Sequence, residues 1–216
     1  MNRRTSARVL PRKEREKRAR QEEILTAARA LFALKGYHNT TLEEIAHHAE
    51  FGKGTIYNYF SSKEELFYGI IDQLTAETVE LALASIRDTN GTAREKLTAY
   101  AVAMISHARA NAELVNLIIR EINHVGDGSD DIRMKIFHLR ARKVWETIAQ
   151  PIKDEIRSNG SKQVDAVRLA AMFDGMLRFH CIAQYGKFRL LENENIAQAV
   201  SSIVSVFFDG IANYKE

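Results

Sequence analysis

One cysteine and two prolines in 216 residues exclude several architectures at once. Cys181 has no partner for an intramolecular disulfide and no companions for a cysteine-based zinc site. Nothing reads as a succession of short β-branched strands closed by Asn-Gly or Asp-Gly hairpins, so the expected class is all-α. No stretch approaches the roughly 18 to 20 uninterrupted apolar residues that a membrane span needs. The opening MNRRTSARVLPRKEREKRAR is basic without the apolar segment of a secretion signal, so a cytoplasmic protein with no membrane partner is expected. Catalytic spacings are missing too: there is no G-x-S-x-G elbow, no G-x-x-x-x-G-K phosphate loop and no H-E-x-x-H. His47 and His48 are adjacent, about 100° apart on a helix and poorly placed to share a metal. Neither an enzyme nor a bound metal or cofactor is expected.

What is present is globular in composition, with 45% hydrophobic and 27% charged residues. The net charge of +3 is unevenly spread. Residues 1–21 hold nine Lys/Arg against Glu14 and Glu16, a local net of +7, which leaves −4 for the rest. A basic arm of this kind is the electrostatic footprint expected of a nucleic-acid partner, or else a merely solvated tail.

The apolar pattern predicts about nine helices. The first starts near Arg18, carries Ile24, Ala28, Leu31 and Phe32 on one stripe and ends at Gly36. Thr41-Leu-Glu-Glu44, Ser62-Lys-Glu-Glu65 and Thr92-Ala-Arg-Glu95 are capping-box sequences, each opening a helix. Between the first two boxes, Gly52 and Gly54 set off a short helix over 53–60 with Ile56 and Phe60 inward. A long helix runs from 63 to about 87, followed by helices from Thr92 to about 111 and over 114–125, 132–157, 163–186 and 194–214. Pro151 should kink the 132–157 helix or begin a new one. The expected division is a basic arm over 1–20, a helix-turn-helix domain over 21–67 and a larger domain over 68–216.

Two short helices after a longer one, joined by a glycine-containing turn, form the pattern of a helix-turn-helix whose second helix enters the DNA major groove. With Ile56 and Phe60 inward, Gly54, Thr55, Tyr57 and Asn58 fall on the outward side. A hydroxyl or amide can bond phosphates or base edges, a tyrosine ring can pack on sugar or thymine methyl, and glycine lets backbones approach. Lys53 and Lys63 bracket the helix with charge for phosphates, and Thr41 opens another amide-rich helix start.

The stretch from Ile24 to Phe67 resembles the DNA-binding domain of the tetracycline-repressor (TetR) family of bacterial transcription regulators. The resemblance rests on A-x-x-L-F-x-x-x-G-Y from Ala28 to Tyr37, T-T-L-x-x-I-A from Thr40 to Ala46, and G-T-I-Y-x-Y-F-x-S-K-E-x-L from Gly54 to Leu66. It implies a helical homodimer that binds a double-stranded DNA operator through Thr41, Lys53, Thr55, Tyr57, Tyr59 and Lys63. It also implies a C-terminal domain that binds a small-molecule inducer and dimerises through its last two long helices. Lys53 stands where a small serine-like residue is frequent, and Asn58 occupies a variable position, so no base sequence carries over.

The C-terminal residues fit such a domain. Ile203, Phe207 and Ile211 lie on a wide apolar face of the last helix, and Gly175 would let a facing helix approach, though an intramolecular core would look the same. Met104, His107, Ile118, Phe137, Trp145, Phe173, Met176 and His180 supply the aromatic and flexible apolar lining of a ligand pocket, each equally readable as core. Asp174 and Arg178, at i and i+4, either pair or leave Arg178 to an acidic ligand. The expected function is a repressor released from a palindromic operator by a small molecule. The rival is a DNA-coating protein that binds by phosphate neutralisation alone, suggested by the arm and a pI near 8.9.

Overall fold

The computed structural model describes residues 11–121, 131–158, 165–185 and 195–210, with the backbone alone over 120–121, 131–138 and at 158. Among the described residues there are nine helices and no strand. They are α1 (Arg12–Lys35), α2 (Leu42–His48), α3 (Lys53–Tyr57), α4 (Lys63–Asp88), α5 (Ala93–Ala110), α6 (Ala112–Glu121), α7 (Asp131–Ser158), α8 (Ala166–Tyr185) and α9 (Ile196–Asp209). The chain divides into two compact units, Met1–Ile70 and Ile71–Glu216, the division falling inside α4.

In the first unit Ile24, Ala28, Phe32, Ile45, Ile56, Leu66, Phe67 and Ile70 are fully or almost fully buried. Each buried Ile, Leu or Phe side chain among them contributes about 1.5–3 kcal/mol on leaving water. Phe32, Tyr37 and Phe67 form a mutual ring cluster with centroids 5.1–6.3 Å apart. The start of α4 presses onto α1 at Gly69, where a Cβ would lie 3.0 Å from the Leu25 side chain and 3.2 Å from that of Phe60.

Two expected capping boxes close reciprocally. Thr41 accepts from the Glu44 N–H at 3.2 Å while the Glu44 carboxylate accepts from the Thr41 N–H at 2.9 Å, and Thr92 and Glu95 repeat the arrangement. The third is shared between two serines. Ser62 accepts from the Glu65 N–H at 3.1 Å, but the Glu65 carboxylate reaches back one residue farther, to the N–H and hydroxyl of Ser61, both at 2.7 Å.

Several boundaries differ from the expectation. Helix α1 begins at Arg12, so half of the expected 1–20 arm is helix. Helix α3 stops at Tyr57, although Phe60 still reaches the core, because its N–H and that of Tyr59 both turn back to the Ile56 carbonyl. Helix α7 runs through a buried Pro151 as one element. Helix α9 ends at Asp209, where Gly210 takes a φ of +71° and its N–H closes on the Val206 carbonyl. Ile211 and Tyr214, expected on that helix, lie outside the described residues.

In the second unit α8 packs along α7 and against α5, and α9 lies on α5. Its core joins Leu97, Tyr100, Ala101 and Ile105 of α5 to Val144, Ile148 and Ile152 of α7, Ala170, Phe173 and Leu177 of α8, and Ala199, Val200 and Val204 of α9. Phe173 sits at the centre, 6.3 Å from the Tyr100 ring and 4.9 Å from that of Phe207.

The turn between α2 and α3 places its left-handed residue at Glu50 (φ 58°), while Gly52 has an ordinary φ of −67°. A side chain in that conformation costs about 1–2 kcal/mol, partly offset by the greater chain entropy that a glycine would lose. Glu50→Gly is therefore expected to stabilise the first unit by about 0.5–1 kcal/mol, read as a higher urea midpoint. A lower midpoint would show that Glu50 is not held in the left-handed region.

Candidate nucleic-acid interface

Helix α3 is two-sided. Ile56 is fully buried, whereas Lys53, Gly54, Tyr57 and Asn58 are exposed, Tyr57 by 45%, and Thr55 and Tyr59 are half-buried. A Cβ added at Gly54 would meet nothing within 4 Å. No internal packing therefore requires glycine there, and its smallness is available to an approaching partner. The short helix exposes amide, phenol and ammonium groups around a bare patch of backbone.

Lys53 is already engaged on this surface, its ammonium 2.5 Å from the Glu43 carboxylate. That hydrogen bond holds the Glu43 carboxyl below the usual carboxylate range and raises Lys53. Both groups are well exposed, so a phosphate has only a solvent-screened pair to displace. Thr41 is exposed but serves as the cap of α2. Glu44 is lowered first by Lys35, whose ammonium lies 2.7 Å away and ties the end of α1 to the start of α2, and then by the Thr41 N–H.

Lys63, expected as a phosphate contact, is placed against the α1–α2 loop. Its ammonium donates to the carbonyls of Tyr37 at 2.8 Å, Thr40 at 3.0 Å and His38 at 3.4 Å, and lies 4.5 Å from the Tyr37 ring centroid. These bonds commit its three donors to the α1–α2 loop. The fully buried Thr40 reinforces that loop by donating to the Gly36 carbonyl at 2.9 Å. Nothing in local helix pattern signals a contact across more than 20 residues of chain.

In the second unit the structure resolves the Asp174–Arg178 ambiguity in favour of pairing. Asp174 is 1% exposed and accepts from the Tyr100 hydroxyl at 2.5 Å, the Trp145 indole N–H at 2.9 Å and the Arg178 Nε–H at 2.6 Å. Of the expected pocket residues, Met104 and Phe173 lie in the core, with Trp145 and Met176 packed against it. His180 is buried with its Nε2 2.9 Å from the Gln184 amide oxygen, His107 and Ile118 are half-buried, and the Phe137 side chain lies outside the described residues. Burial pushes the Cys181 thiol up to about 11, leaving it protonated near neutrality and a poor nucleophile. Among the described residues no group of three His, Cys, Asp or Glu is placed to hold a metal, and no helix is long and apolar enough to cross a membrane.

The expected dimer residues separate. Ile203 and Phe207 pack on their own core, while Gly175 is exposed with open space around it. Sequence reading missed Met172, Phe179 and Ile182, exposed by 59%, 67% and 47%. With Arg168 and Gly175 they repeat every three or four residues along α8, opposite its buried stripe of Ala170, Phe173 and Leu177. An apolar pattern on two faces of one helix was the signal that marked them.

Residues 24–69 match the profile of the family described as bacterial regulatory proteins, tetR family. The fatty acid metabolism regulator protein of Bacillus subtilis is 30% identical over 157 residues, covering 72% of this chain and 78% of that protein. A second Bacillus subtilis relative, the HTH-type transcriptional regulator YfiR, is 45% identical over 53 residues, 24% of this chain and 26% of that protein's length. Among solved structures, a TetR/AcrR-family transcriptional regulator from Thermobifida fusca superposes with a TM-score of 0.67 at 24% identity, covering 89% of this chain and 98% of that one. FadR from Bacillus subtilis, in complex with stearoyl-CoA, gives 0.65 at 20% identity over 88% and 98%. The chain belongs to the TetR family of bacterial transcription regulators, DNA-binding proteins of the helix-turn-helix type.

Two outcomes follow from this geometry. Lys63→Met should lower the stability of the first unit by about 1–3 kcal/mol, because loop carbonyls lose a charged donor; an unchanged urea midpoint would mean the clasp is idle. Burial and the Asp174 carboxylate push the Tyr100 phenol well above its ordinary value. The folded chain then keeps a proton that an unfolded tyrosine loses, so this stabilisation is complete below about pH 10 and fades as pH rises beyond it. Tyr100→Phe should flatten the alkaline fall in stability, and an identical fall in both proteins would contradict the assignment.

Proposed function

We propose that this chain is a homodimeric repressor that occupies a palindromic operator and is released when a small molecule binds its second unit. The observation that carries the reading is the two-sidedness of α3, buried at Ile56 and bare at Gly54, Tyr57 and Asn58. In this role Tyr57, Asn58 and Thr55 meet base edges or thymine methyls, Gly54 admits the DNA backbone, and Lys53, Thr41 and Tyr59 take phosphates. Lys63 acts from behind, holding the frame. One five-residue helix offers too few contacts alone, and two held about 34–36 Å apart supply the rest. The exposed apolar stripe on α8 supports a self-complementary interface of that kind.

Two observations support an acyl thioester as the releasing ligand: the 30% identical relative is a fatty acid metabolism regulator, and a solved relative of the same fold is bound to stearoyl-CoA. Helix α4 links the two functions covalently, beginning just after the recognition helix and continuing into the second unit. Ligand and DNA then oppose each other with equal coupling in either direction.

Selection of random duplex DNA on the purified protein tests the reading. A two-half-site palindrome should be enriched, Tyr57→Ala should reduce discrimination between sequences, and stearoyl-CoA should weaken the complex. Salt-sensitive binding without enrichment would instead favour the DNA-coating alternative, and undiminished DNA affinity in the presence of bound stearoyl-CoA would overturn release by that ligand.

A further inference from the structure

The first turns of α1 continue a stripe that changes character. Lys13, Lys17, Arg20, Ile24, Ala27 and Leu31 follow one another at intervals of three or four residues, so they share one side of the helix. From Ile24 onward that side is buried in the first unit, and before it every residue from Pro11 to Arg20 is exposed. The basic half of the stripe thus overhangs the edge of the unit, on the side of α1 that faces its neighbours.

The other sides of this overhang are partly neutralised. Arg12 pairs with Glu16 at 2.7 Å and Arg18 with Glu14 at 3.7 Å, both at i, i+4. Lys13, Lys17 and Arg20 have no ion-pair partner among the described residues. Extending an already nucleated helix is cheap, and the two pairs add a few tenths of a kcal/mol each. The three cations are therefore presented in fixed register, with little ordering left to do on binding.

We propose that Lys13, Lys17 and Arg20 form a rail that lies along the phosphates of DNA flanking the half-site read by α3. This rests on the DNA-binding reading above and adds where the contacts fall. At about 1.5 Å per residue the rail spans roughly 10 Å, or about three base pairs at 3.4 Å each.

Two triple variants of equal charge change test it on the selected duplex: K13Q/K17Q/R20Q on the rail, and R12Q/R15Q/R18Q on the other sides. The rail variant should reduce the slope of log affinity against log salt by about 2–3 per subunit, since each phosphate contact contributes about 0.9. The second triple should change it far less. Trimming about four base pairs from each flank should weaken the wild-type complex and leave the rail variant unaffected. Equal slopes for both triples would overturn the rail, as would wild-type affinity that ignores flank length. If the wild-type chain enriches no duplex at all, the DNA reading fails and the rail with it; enrichment with an idle rail leaves that reading intact.

Discussion

Helices of seven and five residues are below the length at which a helix persists in water, yet the surface proposed to read DNA is built from two of them. Their existence is lent by what surrounds them. Leu42, Ile45 and Ile56 drop into a core walled by α1 and the start of α4, the Thr41–Glu44 box closes the orphan amides of α2, and Lys35 pins that box from α1. The Lys63 ammonium completes the frame by gathering three carbonyls of the α1–α2 loop. Each device lies behind or beside the proposed recognition surface, which leaves the outer side of α3 free of structural duties.

The second unit meets a different constraint, a carboxylate placed inside an apolar bundle. Asp174 is tolerable there because three donors from α5, α7 and α8 converge on its two oxygens. Such a centre ties the three helices by directional bonds where apolar packing alone would let them slide. A ligand entering beside Trp145 or Phe173 would press on helices held in this way. Helix α8 carries both the carboxylate and, on its opposite side, the exposed stripe of Met172, Phe179 and Ile182. The interior and the proposed subunit contact therefore share one rigid rod.

Much of this was legible in sequence, for physical reasons that also mark where legibility stops. Apolar stripes of period 3.6, terminal glycines and the Thr41 and Thr92 boxes are local signals, and they located the helices. The ordered residues from Ala28 to Leu66 pointed to the family. Contacts remote in sequence left no local trace: Lys63 on the Tyr37 and Thr40 carbonyls reads in the chain as a free cation beside a recognition helix. Asp174 and Arg178 could be seen as neighbours, but not the Tyr100 and Trp145 donors that make the carboxylate a centre. The left-handed residue of the α2–α3 turn is Glu50, while Gly52 keeps an ordinary φ, a backbone choice that no local sequence signal marks. The basic arm was visible as charge, whereas the helical order of its residues 12–20 depends on propagation from the buried half of α1.

The central claim is that α3 enters the major groove as the reading element. Chemical protection of guanine N7 on a selected operator tests it most directly, since N7 faces only that groove. Insertion predicts two protected clusters about one helical turn, or a multiple of it, apart, lost with Tyr57→Ala. Protection confined to the sugar-phosphate backbone, with every N7 still reactive, would contradict it.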